Sequence, residues 1–227
     1  MTTGNAPSSR PPSKGLSADR FIDATLELIA EEGGSIGVNL RAVSRRLGCA
    51  HTNVYNYFDS YGELLWGAFR RSLRVYGQYL IHDLDRDLEP REYLQRTLVN
   101  LATFPQQNPG LYRFIASDPI DLASIPGDLM ETVTAMKQWL ADVVAAAAPG
   151  TDHARAREAA NVMLAYIDGE TLNLINGRAI PDEDLEGRVV ANAFRLFDLL
   201  MGEGRHRGRG RHRSAAPDPE GIFGRTT

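Results

Sequence analysis

The stretch from Asn39 to Leu65, NLRAVSRRLGCAHTNVYNYFDSYGELL, constrains the fold more than any other part of the chain. Leu40, Val43 and Leu47 recur at i, i+3 and i+7, the apolar stripe of a short helix. Asn39 suits the N-cap, because its side-chain oxygen can accept from the unpaired amides of the first turn. Gly48 can take the left-handed conformation that ends such a helix. After Gly48-Cys49-Ala50, a second short helix is expected from His51 to Tyr57, with Val54 and Phe58 on its buried face. Thr52, Tyr55 and Asn56 then point outward, with Asn53 at the margin and His51 at the exposed N-terminus. Two short helices joined by a tight glycine-containing turn form a helix-turn-helix. The outward side chains of the second helix are hydrogen-bonding types long enough to reach base edges in a major groove.

The local charge agrees with that reading. Residues 38 to 58 hold Arg41, Arg45 and Arg46 and no acid, although the whole chain carries a formal charge of −4. The total argues against nonspecific coating of nucleic acid, whereas the local sign favours phosphate. Arg41 and Arg45 are therefore expected on phosphates, and His51, Thr52 and Asn53 on bases. Tyr55, Asn56 and Tyr57 are expected mainly on phosphates, fixing register without reading sequence. Tyr57 has an alternative, packing inward beside Phe58. Cys49 is read as packing in the turn.

Elsewhere the chain reads as helices. Ser17 and Asp19 start one whose stripe is Ile22, Leu26, Ile29 and Ala30, running to Glu32 and stopped by Gly33-Gly34. Its acids, Asp23, Glu27, Glu31 and Glu32, are expected to face solvent. Ser60 and Glu63 form a capping box that opens a long helix reaching about Leu84. Further helices are expected over 91–107, 111–117, 127–147, 151–176 and 182–201, punctuated by Asn108-Pro109-Gly110, Asp118-Pro119, Pro126, Pro149-Gly150, Gly177 and Pro181. No alternating β-rich run occurs, so the chain is expected to be all-α.

These features together resemble the tetracycline-repressor-like (TetR) family of transcriptional regulators. The matching residues are Asn39 with Val43, Leu47-Gly48, Val54-Tyr55 with Tyr57-Phe58, and Ser60 with Glu63-Leu64-Leu65, within residues 18 to 66. The run Asn108-Pro109-Gly110-Leu111-Tyr112-Arg113 is also similar to one in some members. Several positions depart from the family pattern, with Asn39 where Thr is common, Ser44 where Ala is common and Cys49 where a small apolar residue is usual. In addition, Ala50 lacks a usual N-cap hydroxyl, and Tyr61 stands where a phosphate-contacting Lys is common. The resemblance implies an N-terminal three-helix DNA-binding domain over 17–62, followed by a larger helical ligand-binding and dimerisation domain over 63–201. It also implies a homodimer on a palindromic double-stranded operator, with repression released by a small molecule. A helical ligand-binding or dimerisation module without specific DNA binding is the alternative, supported by Ala50 and Tyr61.

For the effector, the bulky or polarizable residues of the central helices are the candidates: Trp66, Phe69, Phe104, Tyr112, Phe114, Met136, Trp139, Met163, Tyr166 and Asn173. They suggest a largely apolar or aromatic molecule. The last two helices carry apolar faces, and the resemblance places a four-helix dimer interface there, with Val162, Tyr166, Val189, Ala193, Phe197 and Leu200 as its residues. The five histidines are scattered, and no nucleophile elbow, P-loop or dinucleotide fingerprint is present, so neither an enzyme nor a metal or organic cofactor is expected. Glu203 and His206 have helical metal-ligand spacing but sit among glycines without a third ligand. The first 16 residues, with Arg10 and Lys14, and the Arg-rich stretch 202–227 lack the apolar residues to fold and are expected to be disordered. One cysteine, no signal-peptide core and no membrane-length apolar run point to the cytoplasm.

Overall fold

The structure is a computed structural model that describes residues 15–85, 87–179 and 184–202. The expectations for the N-terminal arm, with Arg10 and Lys14, and for the tail from Glu203, with His206, lie outside these residues. So does the start of the last expected helix at Asp182. Among the described residues the regular structure is entirely helical. In chain order the helices are α1 (Ala18–Glu32), α2 (Leu40–Arg46), a 3-10 segment (His51–Asn56), α3 (Tyr61–Ile81), α4 (Pro90–Gln107), α5 (Pro109–Ala116), a short 3-10 turn (Leu122–Ser124), α6 (Gly127–Ala147), α7 (His153–Ile175) and α8 (Leu185–Gly202). No helix among the described residues is long and apolar enough to cross a membrane.

The ends of the N-terminal helices follow from local chemistry. The Ser17 hydroxyl accepts from the Arg20 amide at 3.3 Å, and Gly33 closes α1 at φ +72°. Asn39 accepts from the amides of Arg41 and Ala42, both at 3.1 Å. Such a cap stabilises a helix by about 1 kcal/mol. Ser60 caps α3 through the Glu63 amide at 3.1 Å, but the returning Glu63 carboxylate takes the Asp59 amide at 2.6 Å, one residue earlier than a capping box requires. Gly48 adopts φ +63° in the turn after α2.

The core has two parts. The N-terminal one joins Phe21, Ile29, Val43, Val54, Phe58 and Leu64, and draws in Phe114 and Leu129 from later in the chain. The second fills the space among α3, α4, α6, α7 and α8. Two expected apolar faces are placed differently. On α1 the buried residues are Phe21, Ala24, Thr25, Leu28 and Ile29; Ile22 and Leu26 are half-buried and Ala30 is exposed. α1 is covered by α2, α3 and α5 together, so its buried arc is broader than one stripe and is turned toward Phe21. On α8, Val189, Ala193 and Phe197 are at most 1% exposed and pack inside the chain's own core, so they are not part of the exposed face expected for a dimer interface. The α8 seam is filled by its own α4 and α7, and the Arg91 guanidinium lies 5.2 Å from the Phe197 ring centroid. The outward apolar side chains of α7 and α8 are Val162 and Leu199, with Tyr166, Leu196 and Leu200 half-buried beside them.

α5 is the element that joins the two parts. At Gly110 it approaches α1 so closely that an added Cβ would stand 2.5 Å from the Ile29 carbonyl oxygen and 3.0 Å from the Ala30 Cα. Both obstacles are backbone, so neither can swing aside. Gly110→Ala is expected to lower stability by about 1–3 kcal/mol, the usual range for overpacking. The check is the denaturant midpoint; an unchanged midpoint would show that the two helices separate freely.

Candidate nucleic-acid interface and ligand cavity

The candidate reading head, the helix-turn-helix with α1, is built on Val54 and Phe58, which are buried against α1 and α3. That anchorage turns His51, Thr52, Tyr55 and Asn56 to the surface and leaves Asn53 half-buried, as the sequence spacing requires. Its local form differs from expectation. His51–Asn56 is a 3-10 turn and not an α-helix, and Ala50 provides no side-chain hydrogen bond to cap it. Six residues without a capping hydroxyl have little to hold the wider α geometry, and the tighter turn still faces Val54 inward.

The three arginines of α2 divide into two kinds. Arg41 and Arg45 are exposed and make no ion pair among the described residues. Arg46 is drawn back onto α1, where it meets Glu27 at 3.1 Å and Glu31. Hydrogen bonds from Arg46 hold the Glu31 carboxyl below its ordinary range. Across α1, Arg71 of α3 reaches Asp19 at 2.5 Å and Asp23 at 2.8 Å. Asp23, Glu27 and Glu31 face solvent as expected, and they also tie α1 to its neighbours through these pairs. Exposed pairs of this kind contribute little individually, so their effect is mainly orientation.

Two tyrosines act as struts. The Tyr57 hydroxyl donates to the Leu16 carbonyl at 2.9 Å, and its ring lies 5.5 Å from that of Phe21. Of the two placements open to Tyr57, the inward one is observed, so its hydroxyl is not poised for a phosphate. Tyr61 donates to the Val38 carbonyl at 2.6 Å and bolts the start of α3 to the loop before α2. Burial pushes its pKa up to about 12, so it remains a neutral donor. The position that the family resemblance assigns to a phosphate-binding Lys is an internal tether in this chain. Cys49 is half-buried against the N-terminal core.

The ligand candidates separate into three groups. Trp66, Phe69 and Phe114 line a small apolar cavity of about 150 Å³ between α3 and the segment after α5. Phe69, Tyr112 and Met136 line a larger one of about 300 Å³, bounded by α3, α5, α6 and α7. Phe104, Trp139 and Met163 line neither; each is at most 2% exposed and packs in the second core. Tyr166 faces the α7–α8 surface, where its hydroxyl accepts from Asn192 at 3.0 Å, and Asn173 is exposed. Bulk and apolarity mark a core side chain as readily as a cavity wall, and the sequence pattern could not separate them.

Five residues of this region were not singled out from the sequence. Tyr76, Lys137 and Asp168 line the larger cavity, and the Tyr112 hydroxyl donates to the Asp168 carboxylate. Arg113 donates to the Gly33 carbonyl at the end of α1, to the Ile175 carbonyl at 2.6 Å and to the Asn176 side chain at 3.0 Å, so it joins the ends of α1 and α7. The Asp118 carboxylate accepts from the Ser35 amide at 2.5 Å and hydroxyl at 2.7 Å, in the loop that leads into α2. The run from Asn108 to Arg113 was the available signal for Arg113. An acid inside an apolar helical stripe was the signal for Asp168.

Burial raises the Asp168 pKa, against the opposing effects of the Tyr112 hydrogen bond and the Lys137 charge. Tyr112 and Tyr76 face it from α5 and α3 and stay neutral, because burial raises both hydroxyls. A folded-state pKa above the unfolded value makes ionisation unfavourable to folding, so stability falls as pH rises from the ordinary carboxylate range through the raised value. Melting temperature measured from about pH 4 to about pH 8 is expected to fall for the wild type relative to Asp168→Asn. Parallel curves would contradict the raised pKa.

The sequence matches no family model and no curated protein. The fold, however, is similar to that of many solved structures. A transcriptional regulator from Rhodococcus sp. Rha1 superposes with a TM-score of 0.66 at 22% identity, covering 81% of this chain and 97% of that one. A fatty acid degradation regulator, FadR from Bacillus halodurans, gives 0.60 at 18% identity over 86% and 100% of the two chains. A TetR variant from Acinetobacter baumannii AYE, in complex with minocycline, gives 0.54 at 22% identity over 86% and 99%. Three-helix head, long α3 and larger helical region thus recur together, and the chain has the fold of the TetR family of transcriptional regulators.

Proposed function

We propose that the chain is a ligand-responsive transcriptional regulator, a repressor that binds a palindromic double-stranded operator as a homodimer and is released by a small molecule. The observation that carries this reading is the pair of exposed residues His51 and Thr52 with half-buried Asn53 beside them, held by buried Val54 and Phe58 and flanked by exposed Arg41 and Arg45. The first three are assigned to bases. Arg41, Arg45, Tyr55 and Asn56 are assigned to phosphates. The two-fold partner is a second copy of the chain, meeting the first through the outward face of Val162, Tyr166, Leu199 and Leu200 on α7 and α8. Two-fold symmetry suits an operator with two half-sites about one helical turn apart or a multiple of it. The effector site is the larger cavity, whose wall includes Tyr112, next to Arg113 on the helix that grips the end of α1. A small-molecule complex of the Acinetobacter structure supports a ligand-binding role for this fold, and the minocycline belongs to that protein. A ligand shifts the equilibrium only by its preference for one arrangement of the heads over the other.

The alternative, a helical module without specific DNA binding, is supported by the uncapped 3-10 turn that follows Ala50 and by Tyr61. Tyr61 is turned inward and supplies no cation. Selection of bound duplexes from a random pool, at a stated near-physiological salt, separates the two. A palindrome is expected to be enriched, and Asn53→Ala is expected to relax one position of it at a cost of about 1–3 kcal/mol. No enrichment by a folded dimer would favour the module instead.

A further inference from the structure

The larger cavity holds an acid, Asp168, that forms no ion pair among the described residues, although the Lys137 charge acts on it. Its wall is mostly apolar and aromatic, from Phe69, Leu73 and Tyr76 on α3, Tyr112 on α5, Met136 on α6 and Leu164 on α7. Asp168 brings a carboxylate to that wall, and among the described residues its side-chain partner is the Tyr112 hydroxyl. Lys137 is exposed at the rim and acts on Asp168 by its charge alone. A carboxylate taken out of water costs free energy unless a cation or several donors compensate it, and one phenol compensates it in part. Burial accordingly disfavours its ionised form. The rings of Tyr76 and Tyr112, whose centroids are 6.0 Å apart, add π faces that attract a cation once water is excluded.

We propose that this cavity binds an organic ammonium ion, with its nitrogen on the Asp168 carboxylate beside Tyr76 and Tyr112 and its apolar body against Phe69, Leu73 and Met136. The assignment rests on the reading of the cavity as the effector site and supplies the ligand's chemical class. A volume of about 300 Å³ sets the scale, a body of one or two fused rings or a comparable aliphatic chain. The nitrogen shares Asp168 with the Tyr112 hydroxyl, so binding acts on α5 at the residue next to Arg113. Arg113 holds the Gly33 carbonyl, which places the ligand's charge one residue from the junction with the reading head.

The experiment uses the full chain and three probes that share one naphthalene body: naphthylethylamine, naphthylethanol and naphthylacetate, titrated by calorimetry. The amine is expected to bind about tenfold or more tightly than the alcohol, with the carboxylate weakest, as a desolvated charge pair requires. Asp168→Asn is expected to abolish that preference while retaining a wild-type or higher melting temperature at neutral pH. Tyr112→Phe leaves the carboxylate in place and is expected to retain the preference, which separates the charge from the phenol. Equal affinities, a preference for the carboxylate through Lys137, no binding by any probe, or a preference that survives Asp168→Asn would each overturn the assignment. Operator selection by the unliganded protein is independent of these titrations. Its success beside a failed amine preference would remove only the ligand class. Amine binding without operator selection would leave the ligand class and remove the regulator reading.

Discussion

The close approach of α5 to the last turn of α1 is the contact on which the rest of the arrangement depends. Gly110 admits it because no Cβ stands between two backbones. Once the helices touch, Arg113 can reach the Gly33 carbonyl and Asp118 can take both donors of Ser35. Those bonds hold the loop between α1 and α2 from the side of the larger helical region. The same short helix sends Tyr112 into the larger cavity and Phe114 into the N-terminal core. A helix of eight residues thus touches the candidate effector site, the core of the reading head and the end of α1.

The reading head spends its charged groups in two ways. Arg46 and Arg71 are paired with the acids of α1. Arg41 and Arg45 remain exposed on α2. The tyrosines divide similarly: Tyr57 and Tyr61 donate to backbone carbonyls, while Tyr55 is more than half exposed. Mechanical bracing and the candidate DNA contacts therefore use different members of one local cluster. An inward Tyr61 removes one cation from the candidate interface and stiffens the loop that α2 starts from.

Much of this was legible in the sequence, for identifiable reasons. Caps at Ser17, Asn39 and Ser60 and the turn glycine at Gly48 act within a few residues, so the local sequence determines them. Val54 and Phe58 were legible because one turn of helix leaves few ways to bury both. What was not legible depends on which helix lies opposite. The α1 stripe was displaced because three helices cover it. Val189, Ala193 and Phe197 read as an outer face, yet α4 fills that side of α8. Phe104, Trp139 and Met163 read as cavity walls for the same reason. Arg113 and Asp118 reach partners some 80 positions earlier in the chain, which no local pattern encodes.

The proposed function requires a symmetric pair of these chains to present two reading heads to one duplex. Hydroxyl-radical footprinting of the protein on a selected duplex tests it most directly. Two protected blocks of matching pattern are expected, centred about 34 Å apart along the helix axis or at a multiple of that spacing. A single protected block, or uniform weak protection along the duplex, would contradict it.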